Sequence, residues 1–118
     1  MIDKKAWGTK NVLFKSDTAQ LDILYILQGG YSSKHKHNNK FNLFFILAGK
    51  IEITLFTKDE EKKIIIGNQE KSQKFIIRPG TFHQFKALQD TECLEYSFVR
   101  LTEEDIIRLN EGGCEKQN

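Results

Sequence analysis

Cysteine is scarce in this chain: its 118 residues contain two, Cys93 and Cys114. The first lies in an apolar, strand-like run and the second in a polar tail. A disulfide-stapled scaffold is therefore excluded, and the fold must rest on its core. A charge excess is lacking as well, since 18 Lys and Arg stand against 16 Asp and Glu, a net +2. A dedicated nucleic-acid binder shows a strong basic surplus. No segment has a helix-turn-helix pattern, and at this length a transcription factor with an appended DNA-binding part is not expected. Long apolar runs are missing too. The opening MIDKKAWGTK has no signal-peptide core, and no later run is long enough to span a bilayer. A soluble, cytoplasmic protein of one domain is the expectation. No internal repeat is visible. Finally, no Asp or Glu lies between Leu24 and Lys50. That span therefore lacks an obvious general base.

That same span carries two of the three histidines. In Gly29–Gly49, GGYSSKHKHNNKFNLFFILAG, His35 and His37 stand one residue apart. Strand side chains alternate between faces, so the two imidazoles point the same way and Lys36 the other. Two rings on one face make half of a metal site. The third, His83, follows a Pro-Gly turn in RPGTFHQF. The expectation is that all three converge inside one small barrel.

The rest reads as short apolar runs broken by turn residues. Residues 1–11 read as an irregular arm, with Trp7 plugging a core edge. Strands are expected at Val12–Phe14, Leu21–Gln28, Tyr31–His37, Phe41–Leu47, Lys50–Phe56, Lys63–Ile66, Phe75–Arg78, Phe82–Leu88 and Thr91–Val99. Thr57–Lys62 is a charged hairpin tip. Thr102-Glu103-Glu104-Asp105 sets an N-cap and first-turn acids before Ile106, Ile107 and Leu109, which predicts one short helix. The organisation is then an N-terminal arm and first strand over 1–19, a barrel over 20–100, a helix over 101–111 and a disordered tail over 112–118. Closely spaced short strands favour an all-β sandwich or barrel.

These residues match a known pattern. The chain resembles the cupins, small jelly-roll β-barrels. Their first motif runs Gly, five residues, His-x-His, three or four residues, Glu, six residues, Gly. Here it is Gly29, His35-Lys36-His37, Asn42 and Gly49, with every spacing kept and Asn42 in the place of Glu. The second motif, Pro-Gly, two residues, His, is met by Pro79-Gly80-Thr81-Phe82-His83. Ala87 stands where Asn often closes it. The resemblance covers residues 20–100. Lys5-Ala6-Trp7-Gly8 also resembles the Lys-Pro-Trp-Gly entry of mannose-6-phosphate isomerase-like cupins.

The resemblance implies that His35, His37 and His83 hold a divalent transition metal: iron, zinc, nickel, manganese or copper. Three imidazoles leave coordination positions open for water or substrate. Asn42 would add a neutral carbonyl oxygen, or bond to backbone instead. With no glutamate the ion keeps its full charge, which favours an anionic ligand. Lys34, Lys36, Lys40 and Arg78 flank the histidines, though alternation sends Lys34 and Lys36 outward, where lysines blunt a strand edge. Phe44, Phe85 and Tyr96 are the candidate substrate walls; with Tyr25, Tyr31 and Phe98 they read first as core filling, some of them lining the pocket where the barrel is open. Cys93 reads as a small buried apolar residue.

The implied function is an enzyme acting on a small polar or anionic metabolite. It would resemble a sugar-phosphate isomerase or epimerase, or a three-histidine dioxygenase. A second reading is a non-catalytic module that binds a small molecule or sugar. A third is a metal-independent epimerase in which His83 or Tyr96 acts as acid or base. Edge strands of such barrels commonly pair, so a homodimer is expected, with no nucleic acid or membrane as partner.

Overall fold

The computed structural model describes residues 2–100 and 109–115. Among them nine strands form: β1 Ile2–Lys5, β2 Gly8–Lys15, β3 Ala19–Ile26, β4 Phe41–Ala48, β5 Lys50–Phe56, β6 Glu61–Gly67, β7 Lys74–Ile77, β8 Phe82–Ala87 and β9 Thr91–Phe98. All pairings are antiparallel. One sheet has the order β1-β2-β3-β9-β4-β7 and the other β6-β5-β8. Non-sequential neighbours such as β3-β9-β4 are the long crossings of a jelly roll.

The inner faces change character halfway along, and this positions the site. The register sets Leu24 against Cys93 and Cys93 against Ile46, all fully buried. Two residues further, the same faces carry Asp22 opposite Glu95, and four residues further Gln20 and Asn42 each opposite Ser97. One half of the interior is therefore a dry core, which Phe44, Ile51, Ile53, Ile66, Ile77 and Phe85 complete. Each such side chain contributes about 1.5–3 kcal/mol on burial. The other half is a polar band. Cys93 is buried and unpaired, and burial pushes its thiol well up, so it behaves as a small apolar side chain.

Two turns hold the sheets in register. Gly49 joins β4 to β5 at φ 107°, where an added Cβ would sit 2.5 Å from Thr91 Oγ1. Gly80, at φ 84°, closes the Pro-Gly turn, and its N–H donates to the His37 carbonyl at 2.7 Å. A left-handed backbone at both places favours glycine.

Three expectations need correction. Residues 2–11 are not an irregular arm; with the strand expected at Val12–Phe14 they make up β1 and β2, a hairpin that widens the larger sheet. Its polar alternation hides it, because one face looks into the polar half of the barrel. Tyr31–His37 is not a regular strand. It runs along β8 with bridges only at Tyr31–Lys86 and His35–His83, and so spans one residue more than the stretch it faces. The Ser32 hydroxyl accepts the Phe85 N–H at 3.0 Å in place of a backbone carbonyl, which breaks the ladder. Tyr25, Tyr31 and Tyr96 do not fill the core; all three are exposed. The helix expected over 101–111 falls mostly outside the described residues, and Leu109 and Asn110 form a bend. The tail expected over 112–118 is described only to residue 115, without regular structure. No helix among the described residues is long and apolar enough to cross a membrane.

Candidate metal centre

His35 and His83 come from distant parts of the chain and meet through backbone pairing. His35 N–H donates to the His83 carbonyl at 3.0 Å, and His83 N–H returns the bond at 2.8 Å. Residues that exchange both bonds sit directly opposite, with side chains on one face. His37, two residues on from His35, stays on that face. The ring centroids lie 4.5 Å apart for His35–His83, 5.2 Å for His35–His37 and 5.8 Å for His37–His83. One ligand atom from each lies within 4.8 Å of the others. The sequence expectation of convergence is met.

The rings are also set for ligation. His83 Nδ1 donates to the Thr81 carbonyl at 2.9 Å, and His35 Nδ1 to the Ser33 carbonyl at 2.8 Å. Each bond places the ring proton on Nδ1 and leaves Nε2 as a lone-pair donor. His83 Nε2 is buried with no hydrogen-bond partner. Burial, then the neighbouring His35 ring, Lys40 and His83, push the His37 pKa down to about 4. Burial and His35 also lower His83, against the hydrogen bond to Thr81. Both rings are therefore neutral near pH 7, the form that binds a metal. Convergence, fixed tautomers and an orphaned buried nitrogen fit a divalent ion. The donor set does not choose among the five metals.

A cavity of about 480 Å³ opens beside the rings. His35, His37 and Asn42 line it, with Lys5, Lys10 and Lys40, and with Asp22 and Glu95. His83 is buried behind the pair and is not part of the wall. Asn42 is 1% exposed; its Nδ2 donates to Glu95 Oε2 at 3.0 Å and to Ser97 Oγ at 2.9 Å. Its Oδ1 is buried without a partner. Gln20 Nε2 donates to Asp22, and Lys10 Nζ lies 3.4 Å from Asp22 Oδ2. Burial lifts the Glu95 pKa to about 7; Lys10 opposes the shift and Asp22 adds to it.

Of the candidate substrate walls, only Phe85 reaches this cavity, with Trp7 edge-on to it at 5.3 Å between centroids. Phe44 lies in the core beneath, 6.0 Å from Phe85. Tyr96 sits on the opposite face of β9 from Glu95 and Ser97. It lines a separate outer groove with Phe41, Phe98 and Arg78. An acid or base role at the histidines is out of its reach. Lys34 and Lys36 point outward, as alternation requires, and lie over the Phe56 and Phe82 rings at 4.0 and 5.0 Å. Lys40 does reach the cavity.

Sequence reasoning missed the carboxylates. Asp22 lies just before the acid-free span, and Glu95 is far away in the chain. The signal was present in β9, where Glu95 shares a face with Cys93 and Ser97, and in β3, where Asp22 shares one with Leu24. A carboxylate in the middle of an otherwise apolar inner face is the mark of a polar pocket.

No family model matches the sequence, and no curated protein does. The likeness is structural. KdgF from Halomonas sp. superposes with a TM-score of 0.66 at 15% identity, over 84% of this chain and 86% of its own. A cupin superfamily protein from Desulfitobacterium hafniense gives 0.65 at 18% identity, over 77% and 76%. Oxalate decarboxylase of Bacillus subtilis, a protein with Mn(II) centres, gives 0.71 at 14% identity, over 84% of this chain but only 27% of its own. The chain is thus a small all-β jelly-roll protein with a three-histidine cluster inside. Its fold is that of the cupins.

Proposed function

We propose that this protein is a metal-dependent enzyme that moves a proton on a small anionic metabolite, in the manner of a sugar-phosphate isomerase or epimerase. One observation carries the reading. Three imidazoles, two of them with Nδ1 tethered to a backbone carbonyl, meet beside a cavity whose wall holds three lysines and two carboxylates. His35, His37 and His83 would hold the ion, with the Asn42 amide oxygen as a fourth donor. A bound divalent ion supplies Lewis acidity, which polarises a substrate carbonyl or hydroxyl oxygen. Lys5, Lys10 and Lys40 bring positive charge to the same space and favour an anionic group. Asp22 and Glu95 place proton-accepting groups there, where the sequence offered none. This supports proton transfer over oxygen chemistry, which needs no base in the wall. It also weakens the case for a non-catalytic module, which rested on the missing carboxylates. Trp7 and Phe85 give the cavity one apolar side.

Elemental analysis of purified protein is the first test. Less than about a tenth of an equivalent of any transition metal, with none taken up on soaking, ends the reading. The second test is proton exchange. Phosphosugars and sugar acids incubated in deuterated water should gain deuterium next to the carbonyl, seen by NMR, and His35→Ala should abolish the gain. Ligand binding without exchange in either protein would favour the binding module. The homodimer expected from edge-strand pairing belongs to the same proposal. Gel filtration at low concentration checks it, and a single monomer peak counts against it.

A further inference from the structure

The geometry points to Glu95 as a positioning residue that fixes the amide oxygen of Asn42 toward the metal site and returns to the site the negative charge absent from position 42. This inference rests on the metal reading above. An asparagine amide has two ends of nearly equal size and opposite polarity. Only the oxygen can face a cation; the NH2 group would repel it. What decides the orientation is therefore what the other end touches. Here Nδ2 uses both of its hydrogens, one to Glu95 Oε2 at 3.0 Å and one to Ser97 Oγ at 2.9 Å. The pairing supplies both acceptors. Ser97 lies directly across from Asn42 in the β4–β9 register, and Glu95 is its neighbour two positions along the same face. Turning the amide over would set its oxygen against a carboxylate oxygen at about the same distance, lone pair against lone pair.

The free end has no other occupation. Among the described residues, two buried side-chain polar atoms lack any partner, Asn42 Oδ1 and His83 Nε2. The first is an acceptor. The second is one too, because Nδ1 of that ring donates to Thr81. Asn42 lines the cavity with His35 and His37, and the His83 ligand atom lies within 4.8 Å of theirs. Leaving a buried acceptor unpaired costs about 1–3 kcal/mol. Two buried acceptors without a donor, one on a cavity wall shared with His35 and His37 and one in the histidine cluster, fit a cation. A carboxylate one hydrogen bond behind a ligand polarises it and offsets part of the ion's charge without touching the ion. In this chain the acid stands at position 95, one hydrogen bond behind position 42.

The test is metal affinity of stripped protein, by calorimetric titration with Mn(II), Co(II) and Zn(II), with Co(II) absorption as a readout of the ligand set. Glu95→Gln should weaken binding by about 10–100-fold, because the new amide can donate to Oδ1 or let Asn42 turn. Joining Asn42→Glu to Glu95→Gln should bring affinity back to within a few-fold, with a changed Co(II) spectrum, since the acid now ligates directly. A merely structural Glu95 would alter thermal stability and leave both readouts alone. Should Glu95→Gln not fold, Ser97→Ala removes one acceptor and keeps the carboxylate; about 3–10-fold weaker binding is then expected. A folded Glu95→Gln or Ser97→Ala protein with wild-type affinity overturns the inference, while loss of metal in His83→Ala keeps the metal reading. If wild-type protein takes up none of the three ions, nor iron, nickel or copper, the metal reading itself falls.

Discussion

Removing His83 should separate the stability of the barrel from that of its metal site. The ring is 2% exposed, and its backbone, not its side chain, pairs with His35. His83→Ala therefore keeps the strand contact. It loses the bond from Nδ1 to Thr81, worth about 1 kcal/mol, and opens a small void. It also deletes a buried nitrogen that had no partner, so the net loss in metal-free protein should be about 1–2 kcal/mol. An ion present at about 100 times its Kd stabilises the native state by about 2.7 kcal/mol. Unfolding entropy near 2.1 cal/mol/K per residue comes to about 250 cal/mol/K for this 118-residue chain. One kcal/mol then moves Tm by about 4 °C, and the ion by about 11 °C. Differential scanning calorimetry of stripped and reloaded protein reads this directly. Wild type should gain about 11 °C with a binding ion; His83→Ala should start about 4–8 °C lower and gain almost nothing. An equal gain in both proteins would show that the ion binds elsewhere. No gain in wild type with iron, zinc, nickel, manganese or copper would refute the site.

Two opposed pH effects act on metal-free protein. Burial raises Glu95 from 4.5 to about 7, so its native-state stabilisation is full below pH 4.5 and fades as pH rises through 7. Burial lowers His37 from 6.5 to about 4, so its contribution is full above pH 6.5 and fades as pH falls through 4. Urea unfolding at a series of pH values should give a rising profile for Glu95→Gln and a falling one for His37→Gln; the same slope in both would refute the assignment. Phe44→Ala removes a core ring beneath the cavity and should cost about 3–5 kcal/mol by urea unfolding, and a loss under 1 would mean the core repacks. Gly49→Ala forces a Cβ into Thr91 Oγ1 at a φ of 107°, and should cost about 1–3 kcal/mol. A wild-type midpoint would show that the β4–β5 turn relaxes freely.

Much of this protein could be read before it was seen. The strongly apolar run Phe41–Leu47 located β4, and alternation in Lys50–Phe56 located β5, because a strand between core and solvent must alternate. The spacing of Gly29, His35, His37 and Gly49, with the Pro-Gly turn before His83, was enough to expect one barrel and one site. The hairpin of residues 2–15 was legible only at Val12–Phe14. Its inward face meets a polar band and not a core, so Lys10 looks like a surface residue in sequence and like a cavity wall in space. Nor could the ring of Tyr96 be told from that of Phe85, since both lie in apolar strands and only the sheet's two faces separate them.

The sequence by itself determined the local terms: strand periods, turn residues, and which three rings share a chemistry. Those depend on neighbours within a few positions of one another. The tertiary structure alone decided what the rings face. Glu95, Asp22 and Asn42 are remote in the chain and become one polar wall only when β3, β9 and β4 align in register. Whether a carboxylate lies beside an imidazole is a matter of that alignment, which side-chain spacing along one strand does not encode.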